Sequence, residues 1–343
     1  GKSKRNLFLD ALYQDMSEHN SDTVSFVVKE QSLWSLCVAP RANRVIHIHW
    51  ADMIYGSKYL PKCVLKLLRY TLLLSFLKYA RGCKIVWTMH NIQAHDVKFK
   101  YIDRLARKVL GKLASTIVVQ NAFFVERFQG VYPHIPVIHI PYPNYVGAYG
   151  DLVADAAKLR DRFGYTTNDL VLVSLGMIRP YKKYEYLIRA MNAVSQRRPD
   201  IKLLLIGLCG DDAYGVKLQN ERATNENIQI INEFVPDEEI PEYLALADYT
   251  IFHYDEASMM NSGGVQLSLS YGVPVIVPRF IQDNYITEDN AHIFTSHESL
   301  VALLDSLQRP TISNDYVIKT VSDRAPAQVR AQYRALYQSL VVE

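Results

Sequence analysis

The chain is poor in cysteine. Its four residues of this type, Cys37, Cys63, Cys83 and Cys209, form no C-x-x-C pair and no zinc-ligand spacing. That excludes a disulfide scaffold and a zinc module, and leaves reduced packing thiols in a cytosolic setting. Long apolar runs are missing too. The longest, around Leu72–Leu77, falls far short of the roughly 20 residues that a membrane span requires. The N-terminal residues do not resemble a signal peptide. Gly1-Lys2-Ser3 imitates the tail of a P-loop, but no glycine-rich strand precedes it. Neither an internal repeat nor a low-complexity tract is found.

What is present fits two ordinary globular domains: 343 residues, 49% of them hydrophobic. The net charge of +3 is unevenly spread. Residues 1–150 hold 20 Lys+Arg against 9 Asp+Glu, a net +11, and the remainder is −8. A basic half joined to an acidic half points to different partners for each. Strand-like runs at 24–28, 45–49, 84–89, 116–119, 137–140, 170–175, 203–206, 228–231, 249–252 and 274–277 alternate with helical patterns. This alternation predicts α/β architecture with parallel sheets, whose ligands bind at the carboxyl ends of the strands. Pro141–Gly150 breaks the alternation and reads as a linker. The expected domains are 1–147 and 151–322, with a last helix over Ala325–Leu340.

Two segments carry the chemistry. Gly176-Met-Ile-Arg-Pro-Tyr-Lys-Lys-Tyr-Glu-Tyr-Leu-Ile188 lies between a buried strand and an amphipathic helix, Tyr184–Ser195. Helix N-terminal N–H groups, the helix dipole, Arg179 and Lys182 together suit a diphosphate. The second segment is Asp255-Glu-Ala-Ser-Met-Met-Asn-Ser-Gly-Gly-Val-Gln-Leu-Ser-Leu-Ser-Tyr-Gly-Val-Pro-Val-Ile-Val-Pro278. It offers Ser262 as an N-cap, Gly263 and Gly264 for close ligand approach, and Gly272 at the helix end. Together they resemble the donor half of GT-B glycosyltransferases, especially family 4 and bacterial exopolysaccharide relatives. The resemblance implies two Rossmann-like domains facing a central cleft. The second would hold a nucleotide-sugar, and residues 325–343 would return to the first. It departs from the family at Lys183, where glycine is usual, and at Met259 and Leu267, where two Glu are usual.

Further donor contacts are expected from Gly207, Phe234 and Val235 at strand ends, and from Asp255 and Glu256, which otherwise cap a helix. On the acceptor side, His47, His49 and Trp50 end one strand, and His90, Asn91, His95 and Asp96 follow the next. Related polysaccharide transferases carry similar segments on the acceptor side of the cleft. His47 and His49 share a strand face, as a metal pair or as two hydrogen-bonded rings. An inverting transfer needs a base, and the candidates are Asp52, His90, His95 and Asp96, unranked. Asp211-Asp212 reads as a helix N-cap. A GT-B route stabilises the leaving diphosphate with Arg, Lys and helix N–H groups, so neither metal nor cofactor is implied.

Lys58, Lys62, Lys66 and Arg69 form one helical stripe, opposite Leu60, Val64, Leu67, Leu68 and Leu72; Arg104, Lys108 and Lys112 form another. Such stripes either meet an anionic membrane or form a solvated face over a leucine core. Nucleic acid is not expected, because no aromatic stacking motif accompanies them. The expected function is transfer from a nucleotide-sugar to a saccharide or lipid-linked acceptor, by a cytoplasmic protein peripheral to the inner membrane face. A GT-B sugar-nucleotide epimerase and a non-catalytic partner subunit are the alternatives.

Overall fold

A computed structural model describes residues 7–13, 24–26, 45–94, 97–151 and 156–342. The candidates His95 and Asp96 lie outside them, as do residues 27–28 of the expected first strand. The chain forms two compact units.

The first unit combines residues up to 143 with 257–261 and 326–343. Its parallel sheet runs β1 (Val24–Phe26), β2 (Val45–Ile48), β3 (Lys84–Met89), β4 (Thr116–Val119), β5 (Val137–His139), in that spatial order. The strands β2 and β4 are buried along their whole length, as strands covered on both faces are. Helices Leu60–Ser75 and Lys100–Leu113 cover one side through Leu67, Leu74, Ala106 and Leu110. Helix Pro326–Val342 packs Val329, Tyr333, Tyr337 and Leu340 against Phe8, Leu12, Val45, Val86 and Val118. Met260, from the second half of the sequence, joins the core beside β3 and β4.

The second unit holds residues 144–256 and 262–325. Its sheet comprises β6 (Leu170–Leu175), β7 (Ile201–Ile206), β8 (Ile228–Ile231), β9 (Tyr249–Ile251), β10 (Val275–Pro278) and β11 (Ala291–Phe294), in the order β11-β10-β9-β6-β7-β8. All pairs are parallel. The order reverses between β9 and β6, and this is where such sheets open a ligand crevice. The chain passes between the units at Pro143–Asn144 because the next residues are fastened to the second unit. Asn144 donates to the Val321 and Arg324 carbonyls, Tyr145 N–H to Ser270 Oγ, and Tyr149 N–H to Tyr271 Oη.

One expectation about helix Leu60–Ser75 is corrected. Of Leu60, Val64, Leu67, Leu68 and Leu72, only Leu67 is buried. The inward face is Cys63, Leu67, Tyr70, Leu73 and Leu74, continued by Leu77 in the following π-helical turn. Two apolar stripes run along this helix, and the one bearing Tyr70 fits the groove beside the sheet. The other faces outward.

Candidate functional site

In the second unit, the loops after β6 and β7 are laced together. Gly176 N–H donates to the Ile206 carbonyl, Ile178 N–H to Leu208, and Gly207 N–H to Ile231 at the end of β8. Gly207 has φ +153°, and a Cβ there would stand 2.2 Å from the Gly176 carbonyl oxygen, so only glycine fits. Lys182 reaches Gly176, and Arg179 reaches Gly210 in the loop after β7. An Arg179 terminal nitrogen lies 3.8 Å from a Cβ position at Gly210, and Lys182 Nζ lies 3.2 Å from one at Gly176. Lys182 Nζ also donates to Tyr184 Oη at 3.4 Å. Burial lowers the Lys182 pKa, so an anion placed there would favour its charged form.

The loop before helix Gly263–Ser270 meets the same region. Asp255 N–H donates to the Tyr181 carbonyl at 2.7 Å, and Tyr254 stacks on Tyr181. Tyr254 Oη bonds Ser262 Oγ, and Ser262 caps the helix by accepting from Val265 N–H. Gly263 is exposed in the first helical turn, leaving its backbone open to a ligand. Gly264 answers a packing need instead: a Cβ there would stand 2.8 Å from the Phe252 ring. After β8, Phe234 is 63% exposed while Val235 packs against the core. Asp255 and Glu256 line a cavity with Lys183, Tyr186 and Arg279, whose lining includes neither Arg179 nor Lys182. Asp211 is a helix N-cap, accepting from Tyr214 N–H.

In the first unit, the carboxyl ends of β2 and β3 bring His47, His49 and His90 into one chain of hydrogen bonds, with Trp50 stacked beside it. His90 Nε2 bonds His49 Nδ1 at 3.0 Å, and His49 Nε2 bonds Tyr13 Oη. Tyr13 Oη also reaches His47 Nδ1 at 2.8 Å, which Tyr337 Oη approaches to 2.6 Å. His47 Nε2 bonds Thr88 Oγ1. Both nitrogens of His47 and His49 are thus engaged, which is the hydrogen-bonded reading of the pair. Burial pushes His47 and His90 down to about 3 and holds His49 well below the ordinary imidazole value. His90 stacks on Trp50, centroids 4.7 Å apart. A ring that titrates so low orients a hydroxyl well and abstracts a proton poorly. Asp52 stands in the first turn of the short helix Asp52–Tyr55, where its carbonyl accepts from Gly56 N–H.

Three polar residues of this cluster escape motif reading. Gln120 follows β4, is fully buried beside His90, and has neither amide atom in a well-formed hydrogen bond among the described residues. Asn121 donates to the Met260 carbonyl, and Asn91 pairs as an antiparallel bridge with Met259. Asn261 closes that segment with an unsatisfied buried amide. Gln120 and Asn121 were discoverable, since they end a strand just as His49 and His90 do. The return of 257–261 leaves no local trace in the sequence.

Residues 155–307 match the family described as glycosyl transferases group 1. Over 86% of its length the chain superposes on Anabaena Alr3699/HepE, solved in complex with UDP-glucose, with TM-score 0.64, 16% identity and 78% of that chain covered. The chain has the GT-B fold. An alpha,alpha-trehalose-phosphate synthase (UDP-forming) from Burkholderia vietnamiensis shares it, at TM-score 0.65 and 13% identity, with 91% of this chain and 75% of that one covered. In sequence, this GT-B protein is 24% identical over 241 residues to a GDP-mannose:glycolipid 4-beta-D-mannosyltransferase of Xanthomonas campestris pv. campestris. That alignment covers 68% of this chain and 61% of the enzyme, so the chain spans less than two thirds of that relative. A GDP-mannose-dependent alpha-(1-6)-phosphatidylinositol monomannoside mannosyltransferase of Mycolicibacterium smegmatis is 24% identical over 217 residues, covering 62% of this chain and 53% of that one.

Proposed function

We propose that this GT-B protein transfers a glycosyl group from a nucleoside-diphosphate sugar to a saccharide or lipid-linked saccharide. The observation that carries this reading is the convergence of Arg179 and Lys182 on Gly176 and Gly210, beside the cap of helix Gly263–Ser270. Two cations and open helix N–H groups stabilise a leaving diphosphate, and exposed Phe234 offers a face to the base. The mannosyltransferase relatives use GDP-mannose and act on glycolipids, and Alr3699/HepE was crystallised with UDP-glucose. In this reading His90, Gln120 and Asn261 hold acceptor hydroxyls, whose donors and acceptors complete the unsatisfied amides. The protein works at an anionic membrane surface through its first unit. Among the described residues no helix is long and apolar enough to cross a membrane.

Thermal shift with UDP-, GDP- and ADP-sugars should identify a stabilising donor. Arg179→Ala and Lys182→Ala should each weaken that donor by about 1.5–3 kcal/mol, roughly tenfold or more, without loss of fold. Unchanged nucleotide affinity in both variants would remove the assignment.

Metal plays no part in this reading, because side chains and helix N–H groups supply the positive charge. Turnover should therefore survive EDTA. Loss of activity that only Mn²⁺ or Mg²⁺ restores would show that a metal stabilises the leaving group.

A further inference from the structure

The cavity lined by Asp255 and Glu256, about 660 Å³ in volume, opens in the second unit at the carboxyl ends of β9, β10 and β11. One wall is a preformed aromatic stack. Tyr186 lies on His253 at 3.9 Å and 20°, and His253 lies on Phe294 at 5.9 Å and 14°. Phe280 stands edge-on to His253 at 6.2 Å. The polar wall is balanced, with Lys183, Arg189 and Arg279 set against Glu185, Asp255 and Glu256. Some of these groups are already engaged. Glu185 accepts from Tyr214 Oη and Lys217, and Arg189 pairs with Glu221. Among the described residues, the Lys183, Arg279 and Glu256 side chains carry no such partner, and His253 Nδ1 is buried without one.

Lys183 supplies an independent observation. It is one of two non-glycine residues at positive φ among those described, at φ 48° and ψ 43°. The left-handed conformation strains a residue that carries a Cβ. The turn separates two consecutive lysines: Lys182 reaches Gly176 and Tyr184, while Lys183 lines the cavity. A strained residue that delivers its side chain to a cavity is a pointer to use.

We infer that this cavity binds an uncharged stretch of saccharide, at a subsite separate from the Arg179/Lys182 loop. The apolar C–H face of a sugar ring packs on the negative face of an aromatic ring, and its hydroxyls bridge the Lys183 and Arg279 cations and the Glu256 carboxylate at once. A phosphate would meet three carboxylates here. The inference rests on the reading of the protein as a saccharide transferase, and gives it a means of holding the glycan away from the reacting end.

The test uses the full chain without donor, and saturation-transfer NMR with cellotetraose, maltotetraose, mannotetraose, glucose 6-phosphate and inorganic phosphate. At least one neutral tetrasaccharide should bind. Tyr186→Ala and Arg279→Ala should weaken it at least tenfold, and Lys183→Gly severalfold, while UDP and GDP affinities stay within twofold. Arg279 is exposed, so its variant remains informative if Tyr186→Ala unfolds. No signal from any tetrasaccharide, or binding indifferent to both variants, overturns the inference. Binding of glucose 6-phosphate or phosphate alone overturns it in favour of an anion site. Failure of the donor reading would show separately, as absent nucleotide binding with tetrasaccharide binding intact.

Discussion

Taking the protein from pH 7.5 to pH 5 should strip about 4 kcal/mol from the stability of the first unit through His47 and His90 alone, about 2 kcal/mol for each. Both rings are neutral in the fold, pushed down to about 3 by burial. In the unfolded chain they titrate near 6.5. Stability is therefore complete above pH 6.5 and is lost as pH falls from there toward 3. Within that window the loss is set by the unfolded state alone, because the folded rings take up no proton. His49, also held well below the ordinary value, adds to the same loss. The facing groups from neighbouring elements are the hydroxyls of Tyr13, Tyr333 and Tyr337, whose pKa values are raised, so no carboxylate among them offsets an imidazolium. A domain stability of 5–15 kcal/mol would be cut substantially. All three tryptophans, Trp34, Trp50 and Trp87, lie in the first unit's share of the sequence, so their fluorescence follows that unit in urea. A urea midpoint that does not move between pH 7.5 and 5 would refute the neutral cluster.

Much of the fold was legible because buried parallel strands are short apolar runs between turn residues. Lys84–Met89, Thr116–Val119, Leu170–Leu175 and Ile228–Ile231 fall where the pattern puts them. Ala291–Phe294 is not announced, since a four-residue run containing His292 looks like loop. The clustering of Arg179 and Lys182 around the glycines was legible for a different reason. Arg179, Lys182 and Gly207 are adjacent to strand ends in sequence, so local geometry brings them together. The histidine chain was half legible: strand alternation pairs His47 with His49, but Tyr13 and Tyr337 arrive from helices at opposite ends of the chain. Gly264 shows how one residue type serves two purposes, reading as a ligand approach and packing against Phe252. The direction of a leucine-rich helix is the hardest case, because two apolar stripes satisfy the same periodicity and only tertiary fit chooses between them.

That choice carries the last expected result: reversing Lys58, Lys62, Lys66 and Arg69 to Glu should abolish binding to anionic vesicles. The outward stripe of the helix is Leu65, Leu68 and Leu72, continued by Phe76 and Tyr79, with exposures from 46% to 72%. Their spacing of three or four residues makes one continuous face. Lys62 and Arg69 border it at helical spacing. The packed neighbour, helix Lys100–Leu113, exposes Tyr101 and Leu105 among Arg104, Lys108 and Lys112. No acidic residue occurs from 53 to 95. The one acid on the second helix, Asp103, is buried against Arg107 and Tyr55. Exposed leucines beside clustered cations fit the interfacial zone of an anionic leaflet, with apolar tips among acyl chains and cations at headgroups. Each cation contributes on the order of 1 kcal/mol there, so four together change partitioning by about a thousandfold. Each leucine lost from the interface removes a further 1–2 kcal/mol or so. Leu68→Gln with Leu72→Gln should therefore weaken vesicle binding at least tenfold at unchanged charge. Both residues are exposed, so the fold should tolerate them. Donor affinity should stay constant in every variant, because the loop proposed to hold the diphosphate, with Arg179 and Lys182, belongs to the other unit. Cosedimentation with phosphatidylglycerol vesicles at low salt, against phosphatidylcholine alone, measures all of this. A wild-type protein that stays in the supernatant with both would make the stripe an ordinary solvated surface.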